Sequence, residues 1–310
     1  MTTTDTMVLR SPLAILASAT ATHDTGRDDD IALPKLPGFV ESAFSPLAYE
    51  VSRRCLTERP GDGARTAVAL ASLTGDTTTA DLASRRMVSG RVHNPLLFMQ
   101  ATANSVLGHT SREFGITGQM FSLSTLDDAL TELLAMADLL LEDPEVDRVL
   151  VLGVELGGGE RVAAAHRELS PVRQVFAAPG TPGQDLTADS GRPVPDLPAS
   201  AGLAAAVLLG RPGDPGAPVS VRSAGTTYDT GSARQLGSIQ GLFELADAHR
   251  RLLRDGGTHL LTTEPEAPAF ILSSGTEARS DTKARSGTGA RSGTAARDTA
   301  RNETETHAHQ

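Results

Sequence analysis

Aromatic residues are scarce in this chain of 310 residues. It has no tryptophan, two tyrosines and eight phenylalanines, which together make up 3% of the sequence. A core with so few large rings must be packed closely from Ala, Val and Leu. Surfaces that bind nucleic acid by stacking its bases need aromatic side chains, so this class of surface is excluded.

Lysine and cysteine are also rare. Lys35 and Lys283 are the only lysines beside 26 arginines, and the formal net charge is −10. A negative chain is repelled by nucleic acid and by anionic membranes, so we expect neither as a partner. The single cysteine, Cys55, excludes internal disulfides and cysteine-cluster metal sites, and it fits a reducing cytoplasm.

Long apolar runs and cofactor fingerprints are missing as well. The longest apolar stretch, residues 199–210, is shorter than the ~20 residues that a transmembrane helix needs. The glycines at 157–159 follow a strand-like segment, but no Gly-x-Gly-x-x-Gly or Gly-Lys-Ser/Thr pattern accompanies them. The eight histidines show no metal-binding spacing. We therefore expect no cofactor and no bound metal.

The last 36 residues differ in composition from the rest of the chain. Residues 275–310 contain a six-residue repeat rich in Ala, Arg, Ser, Gly and Thr, with little apolar surface. This pattern predicts a disordered low-complexity tail after a single domain over residues 1–274. The tail carries six cations and five anions, so the acidity belongs to the domain, whose net charge is −11.

Strand-like and helix-like patterns alternate through the domain. The predicted strands cover residues 13–20, 66–72, 120–124, 148–153, 203–209 and 219–223, with a final pair near Leu260 and Phe270. The predicted helices cover residues 46–56, 80–88, 96–114, 127–141 and 242–253. This order of elements indicates an α/β fold with a mostly parallel sheet covered by helices.

Two segments in the middle of the chain resemble the ketosynthase branch of the thiolase superfamily. They are Asn94–His109 and Phe114–Gly118, and the strand Met120–Thr125 and a Gly-x-Glu ending at Glu155 follow at the family's spacing. The small-residue segment 201–209 is similar to a strand that the family has after a long loop. The resemblance implies a thiolase-like fold, essentially the first half of a ketosynthase.

The sequence departs from this family in two ways. The resemblance puts the nucleophilic cysteine position at Asp127, so the thiol that would attack a thioester is missing, and we expect this carboxylate to cap a helix. The 65 residues between Leu209 and the tail are too few for the family's second half, and His249 and His259 match none of its motifs. The chain is similar instead to shortened, chain-length-factor-type proteins of type II polyketide and polyene synthases.

The resemblance also implies a role for the chain. In two-subunit synthases of this family, a cysteine-less subunit pairs with an active ketosynthase and shapes the tunnel for the growing acyl chain. We therefore expect no catalytic residue, a heterodimer with an active ketosynthase, and an acyl carrier protein as an indirect partner. The implied interface or tunnel residues are Phe98, Met99, Gln100, Met120 and Phe121, with ordinary core packing as the alternative for each.

Two other functions remain open at this point. An acyltransferase or hydrolase would use Ser122, Ser124, Thr125 or Asp127 as its nucleophile, but the sequence shows no base partner for any of them. The other possibility is an α/β protein that binds an unrelated small molecule. A fold-level resemblance does not by itself decide between such functions.

Removal of the tail tests its predicted independence from the domain. Truncation after Ser274 is expected to leave the melting temperature unchanged within error, because the repeat buries too little apolar surface to offset its ordering entropy. Thermal unfolding of the full and truncated chains provides the comparison. A drop of several degrees would mean that the tail packs on the domain.

Overall fold

One sheet of eight strands runs through the protein. The computed structural model describes residues 8–90, 95–126, 128–157, 162–164, 168, 197–214, 216–227, 238–262 and 267–275. Their strands are β1 (Leu13–His23), β2 (Thr66–Ala71), β3 (Met120–Leu123), β4 (Arg148–Leu156), β5 (Gly202–Gly210), β6 (Val219–Thr227), β7 (Thr258–Leu261) and β8 (Pro268–Ser274). Their order in the sheet is β3-β2-β4-β5-β1-β6-β8-β7.

Six α-helices of at least six described residues accompany this sheet. They are α1 (Phe44–Glu58), α2 (Thr77–Val88), α3 (Pro95–Gln100), α4 (Ala103–Phe114), α5 (Ala129–Leu140) and α6 (Gln240–Asp255), and a short 3₁₀ helix spans Gly63–Arg65. None of the described helices is both long enough and apolar enough to cross a membrane.

The strand directions differ from the mostly parallel sheet that the sequence predicts. β2 pairs in parallel with β3 and β4, whereas the other five pairings in the sheet are antiparallel. The reason is that β5 lies between β4 and β1 and runs against both. β4 and β5 are buried on both faces, so apolar and polar residues do not alternate along them. The sequence alone therefore gives no indication of the direction of β5.

The sheet separates two apolar cores. Ala205, Val207 and Leu209 of β5 face the core beneath α5 and α6. Their neighbours Ala204, Ala206 and Leu208 face the core beneath α1 and α4. Because successive side chains of a strand point to opposite faces, β5 contributes side chains to both cores. The fold is therefore a three-layer α/β/α arrangement.

Small residues let helix α6 approach the sheet closely. A Cβ atom added at Gly153 of β4 would lie 2.6 Å from Cγ2 of Ile239 and 2.7 Å from Cδ1 of Leu242. Both apolar side chains are buried against this glycine. The helix therefore sits where a larger residue in β4 would exclude it.

Among the described residues, part of β1 has no neighbouring strand on one side. β6 pairs only with Leu13–Ile15 of β1. Farther along, Arg59 Nε donates to the Leu16 carbonyl at 3.1 Å and Arg54 donates to the Thr20 carbonyl at 3.0 Å. Arg54 of α1 and Arg59, the residue after this helix, thus satisfy carbonyls that a partner strand would otherwise bind.

The predicted elements are otherwise confirmed, with one helix divided. The predicted helix over 96–114 consists of α3 and α4, separated at Ala101 and Thr102. Thr102 has extended backbone angles, and its hydroxyl donates to the Met99 carbonyl at 2.8 Å, which ends α3. The predicted tail lies outside the described residues from residue 276 onward.

The entry into β3 provides a test of close packing. A Cβ at Gly118 would lie 2.2 Å from the Thr66 carbonyl oxygen, a backbone atom that cannot move aside without shifting β2. We expect Gly118→Ala to lower the free energy of unfolding by about 1–3 kcal/mol. Gly108→Ala is the matched control, because this position in α4 is open and alanine should stabilise the helix by up to ~1 kcal/mol. Equal stabilities of the two variants in urea titrations would contradict the packing argument.

Candidate functional site

The carboxyl ends of the three parallel strands are joined by hydrogen bonds to one residue, Leu73. Leu73 follows β2, and its backbone N–H donates to Oε1 of Glu155 on β4 at 2.7 Å. The carbonyl of the same residue accepts a hydrogen bond from Ser124, just after β3, at 2.8 Å. The side chains at the ends of β2, β3 and β4 therefore meet at a single edge of the sheet.

Glu155 is the most strongly perturbed acid at this edge. Its side chain is buried, and this burial raises the pKa of the carboxyl to about 8, despite hydrogen bonds from Leu73 and Ser72 that oppose the shift. The carboxyl is therefore mainly protonated at neutral pH. Burial also raises the pKa of Asp76, which caps the start of α2 by accepting from Thr79 N at 3.0 Å.

The start of α5 is capped one residue later than the sequence predicts. The cap is Asp128, which accepts from Leu130 N at 3.2 Å and from the Thr131 hydroxyl at 2.6 Å. Asp127, the residue at the family's nucleophile position, lies outside the described residues. The displacement is physically simple, because either of two adjacent aspartates can accept from the free N–H groups of the first turn.

The surroundings of this helix start are acidic. Glu244 on α6 is close enough for the charges of Asp128 and Asp247 to raise its pKa, although burial is the larger cause. An anionic nucleophile or a developing oxyanion is destabilised by nearby carboxylates. Among the described residues, no three His, Cys, Asp or Glu side chains converge as a metal site would require.

Cys55 lies away from this edge. It is fully buried on α1, in the core on the opposite face of the sheet from α5. Its Sγ is 3.7 Å from the Ala206 carbonyl, and burial raises the pKa of the thiol far above its usual value. A thiol in this environment stays protonated and is a core residue.

Exposed apolar side chains are concentrated around the edge strand β3. The described residues include twelve exposed large apolar side chains, and nine of them lie on β3 and the residues after it, on α2 and α3, or in the segment before α1. We call these nine the apolar surface: Val40, Met87, Val88, Leu96, Phe98, Met99, Met120, Phe121 and Leu126. Contacts link their elements in series, from α2 through α3 and α4 to β3, and an Arg86–Glu41 ion pair at 3.6 Å joins the segment of Val40 to α2.

Four of the residues that the resemblance implied belong to the apolar surface. Met99 is 64% exposed, Phe98 38%, and Met120 and Phe121 37% each. Gln100 is half-buried at the end of α3, and its Nε2 lies 3.6 Å from where a Cβ of Gly38 would be. Ordinary core packing is therefore not the role of the four apolar residues in the isolated chain.

The sequence contains a pattern that indicates further members of the apolar surface, beyond those that the resemblance implied. Leu96, Leu97, Phe98 and Met99 are four consecutive apolar residues in a helix, and one helical face cannot bury all four. In the structure only Leu97 is buried. Met87 and Val88 form a similar adjacent pair at the end of α2.

Comparison with known proteins gives a clear result for the fold. No protein-family model and no curated protein sequence matches the chain. Solved structures do match. A ketosynthase (ApeO) in complex with its chain length factor (ApeC) from Xenorhabdus doucetiae aligns over 85% of this chain and 100% of the matched chain, with 15% identity and a TM-score of 0.52. The chain has the thiolase-like fold of the ketosynthases.

Two further ketosynthase-fold structures match over similar lengths. The ishigamide ketosynthase/chain length factor covers 84% of this chain and 98% of its own, at 12% identity and a TM-score of 0.52. The AntDE:AntF complex, in which a type II polyketide synthase acyl-carrier protein is bound to its ketosynthase, covers 86% and 100%, at 9% identity and a TM-score of 0.54. The ketosynthase fold that the resemblance implied is therefore confirmed.

The buried Glu155 makes stability depend on pH. Its pKa is about 8 in the folded protein and near 4.5 when unfolded, so between these values the unfolded state is the one that loses the proton. Stability is therefore lost as the pH rises through this range. We expect Glu155→Gln, which keeps a hydrogen-bond acceptor for Leu73 N, to stabilise the fold by roughly 1–3 kcal/mol at pH 7.5.

The same variant should bring little gain at pH 4.5, where the folded-state carboxyl is protonated and the unfolded-state carboxyl is about half protonated. Glu132→Gln, at an exposed acid in the first turn of α5, is the control and should change stability little at either pH. Urea unfolding at both pH values measures the difference. A gain from Glu155→Gln that is equal at both would contradict the burial of a neutral carboxyl.

Proposed function

We propose that this protein is a catalytically silent, chain-length-factor-like partner subunit of an active ketosynthase in polyketide or fatty-acyl biosynthesis. The apolar surface around β3 carries the proposal. A chain that exposes nine large apolar side chains on contiguous elements, beside an edge strand, is suited to burying them against another protein.

The edge strand specifies how the partner would dock. In the described part of the chain, β3 pairs with β2 on one side only, and Met120, Phe121 and Ser122 are all exposed. Backbone groups on its free side can continue the sheet into a partner strand while the apolar side chains pack across the junction. Phe98, Met99 and Gln100 on α3 would then line the interface or the acyl tunnel beside it.

The absence of ketosynthase chemistry is supported by the start of α5. The sequence has aspartates where the family has its cysteine, and the described carboxylates of Asp128 and Glu244 make this region acidic. A thioester acyl group needs a thiolate and stabilisation of its oxyanion, and acidic neighbours oppose both. The catalytic cysteine would therefore belong to the partner.

The composition of the matched complexes supports this role. Two of them contain a ketosynthase with a chain length factor, and a third contains a ketosynthase with its acyl-carrier protein. Since the domain of this chain has a net charge of −11, an acidic carrier protein would dock on the ketosynthase and reach this subunit only indirectly. We place the complex in the cytoplasm.

An acyltransferase or hydrolase at the same edge has less support. The Ser124 hydroxyl donates to the Leu73 carbonyl, so within the described residues its proton is bound by a backbone oxygen and not by a base. Ser122 lies exposed on the edge strand that the proposed partner would cover.

A charge within the apolar surface tests the proposal. When this chain is co-expressed with a cysteine-containing ketosynthase from the same organism, we expect a 1:1 complex on size exclusion. Phe121→Asp should weaken the complex at least about 100-fold, because a carboxylate buried without a partner costs several kcal/mol. Leu260→Asp is the matched control, since Leu260 is 41% exposed on the opposite edge strand β7 and should leave the complex intact.

The proposal fails if the two proteins elute separately at micromolar concentration and synthase activity is unchanged when this chain is omitted. It also fails if both aspartate variants weaken the complex equally. In that case, the effect would come from added charge and not from the apolar surface.

A further inference from the structure

A serine and a histidine are paired far from the apolar surface, on the open part of β1. Ser18 Oγ and His249 Nδ1 are 2.8 Å apart, which joins β1 to α6. His249 is buried, whereas Ser18 is only half-buried. The stretch of β1 that carries Ser18 lies beyond Ile15, where the pairing with β6 ends.

The next pair along these elements brings a positive charge to the same place. Thr20 lies two residues after Ser18, on the same face of β1, and its Oγ1 is 3.2 Å from Nη1 and 3.3 Å from Nη2 of Arg250. Arg250 also binds Asp247 in the preceding turn of α6. Alternate residues of a strand are about 7 Å apart, so the guanidinium bound at Thr20 places a positive charge one strand repeat from Ser18, on the same face of the sheet.

His249 has the protonation state of a base. Burial, together with the smaller effect of the charges of Arg250 and Arg59, lowers its pKa to about 4. The imidazole is therefore neutral at pH 7, and Nδ1 accepts the Ser18 proton when Nε2 carries the ring hydrogen. A serine hydroxyl bonded to a neutral imidazole is the arrangement by which a weak nucleophile is activated.

We propose that Ser18, His249 and Arg250 form an acyl-accepting site for activated acyl esters, such as thioesters or aryl esters, separate from the edge where β2, β3 and β4 end. Ser18 Oγ attacks the carbonyl carbon and forms the new C–O bond, and its proton moves to His249 Nδ1. The guanidinium of Arg250 stabilises the oxyanion. The leaving thiolate or phenolate departs with the electron pair of its bond and takes the proton from His249, leaving an acyl ester on Ser18.

The chemistry of His249 sets the substrate class. A base with so low a pKa gives little driving force for proton transfer. A good leaving group is then required, so amides and alkyl esters are not substrates. This site uses none of the residues of the apolar surface and does not depend on a partner subunit.

Acetylation by p-nitrophenyl acetate tests the site in the full chain. We expect a stoichiometric burst of nitrophenolate, one acetyl group in the intact mass, and its assignment to Ser18 by peptide mapping. Ser18→Ala should abolish both the burst and the adduct. His249→Gln can still hydrogen-bond Ser18 but cannot take its proton, so it should slow acetylation by about 100-fold or more.

Two serine controls separate this site from general reactivity. Ser220→Ala removes a half-buried hydroxyl on β6 that bonds only to Ser273 among the described residues, and it should leave the burst unchanged. Ser124→Ala removes the hydroxyl at the carboxyl edge and should also have no effect. No adduct on the wild-type chain, an adduct that persists in Ser18→Ala, or one lost in Ser124→Ala overturns the proposal.

If circular dichroism shows that His249→Gln does not fold, Ser18→Ala and Ser18→Cys test whether residue 18 accepts the acetyl group. The cysteine variant should acquire its acetyl group on the new thiol, and a variant that reacts elsewhere also overturns the proposal. A wild-type adduct at Ser18 that His249→Gln forms equally fast, while folded, would show that the histidine is not the base.

Discussion

The fold depends on β5 and its position between β4 and β1. Nine residue pairs join β5 to each of these neighbours, and its side chains are almost entirely small or aliphatic and buried. Alternate residues supply the two cores on opposite faces of the sheet, so both helical layers rest on this one strand. Close packing of small side chains takes the place of the large rings that the sequence lacks.

The location of the candidate sites follows from this arrangement. Because β4 and β5 lie in the centre of the sheet, β2 has a neighbouring strand on each side and β3 forms the edge. The parallel strands β2, β3 and β4 end at one edge of the sheet. There, Glu155 accepts from the Leu73 N–H and Ser124 donates to the Leu73 carbonyl. On the other side of β5, the pairing of β1 with β6 stops after three residues, and α6 brings His249 to the strand that is left open.

Local sequence patterns were sufficient to predict the elements but not their pairing. The helix predicted over residues 127–141 is confirmed as α5, whose Leu130, Leu133 and Leu134 form a buried face, because periodicity is a property of neighbouring residues. The direction of β5 depends on residues far apart in the chain, and its buried sequence on both faces gives no clue to it. The pairing of Ser18 with His249 spans 231 residues and has no local signal at all. The family resemblance indicated Phe121 as an interface residue, but its exposure became visible only when the sheet order put β3 at the edge.

The two arginines that bind the carbonyls of β1 protect this part of the sheet over a wide range of pH. Arg54 and Arg59 occupy acceptor groups that would otherwise recruit a foreign strand. A guanidinium keeps its charge and its five N–H donors throughout the pH range in which proteins fold, whereas a lysine in the same place would lose its charge in strong alkali. Protection of this strand is therefore a permanent, non-titrating property of the molecule.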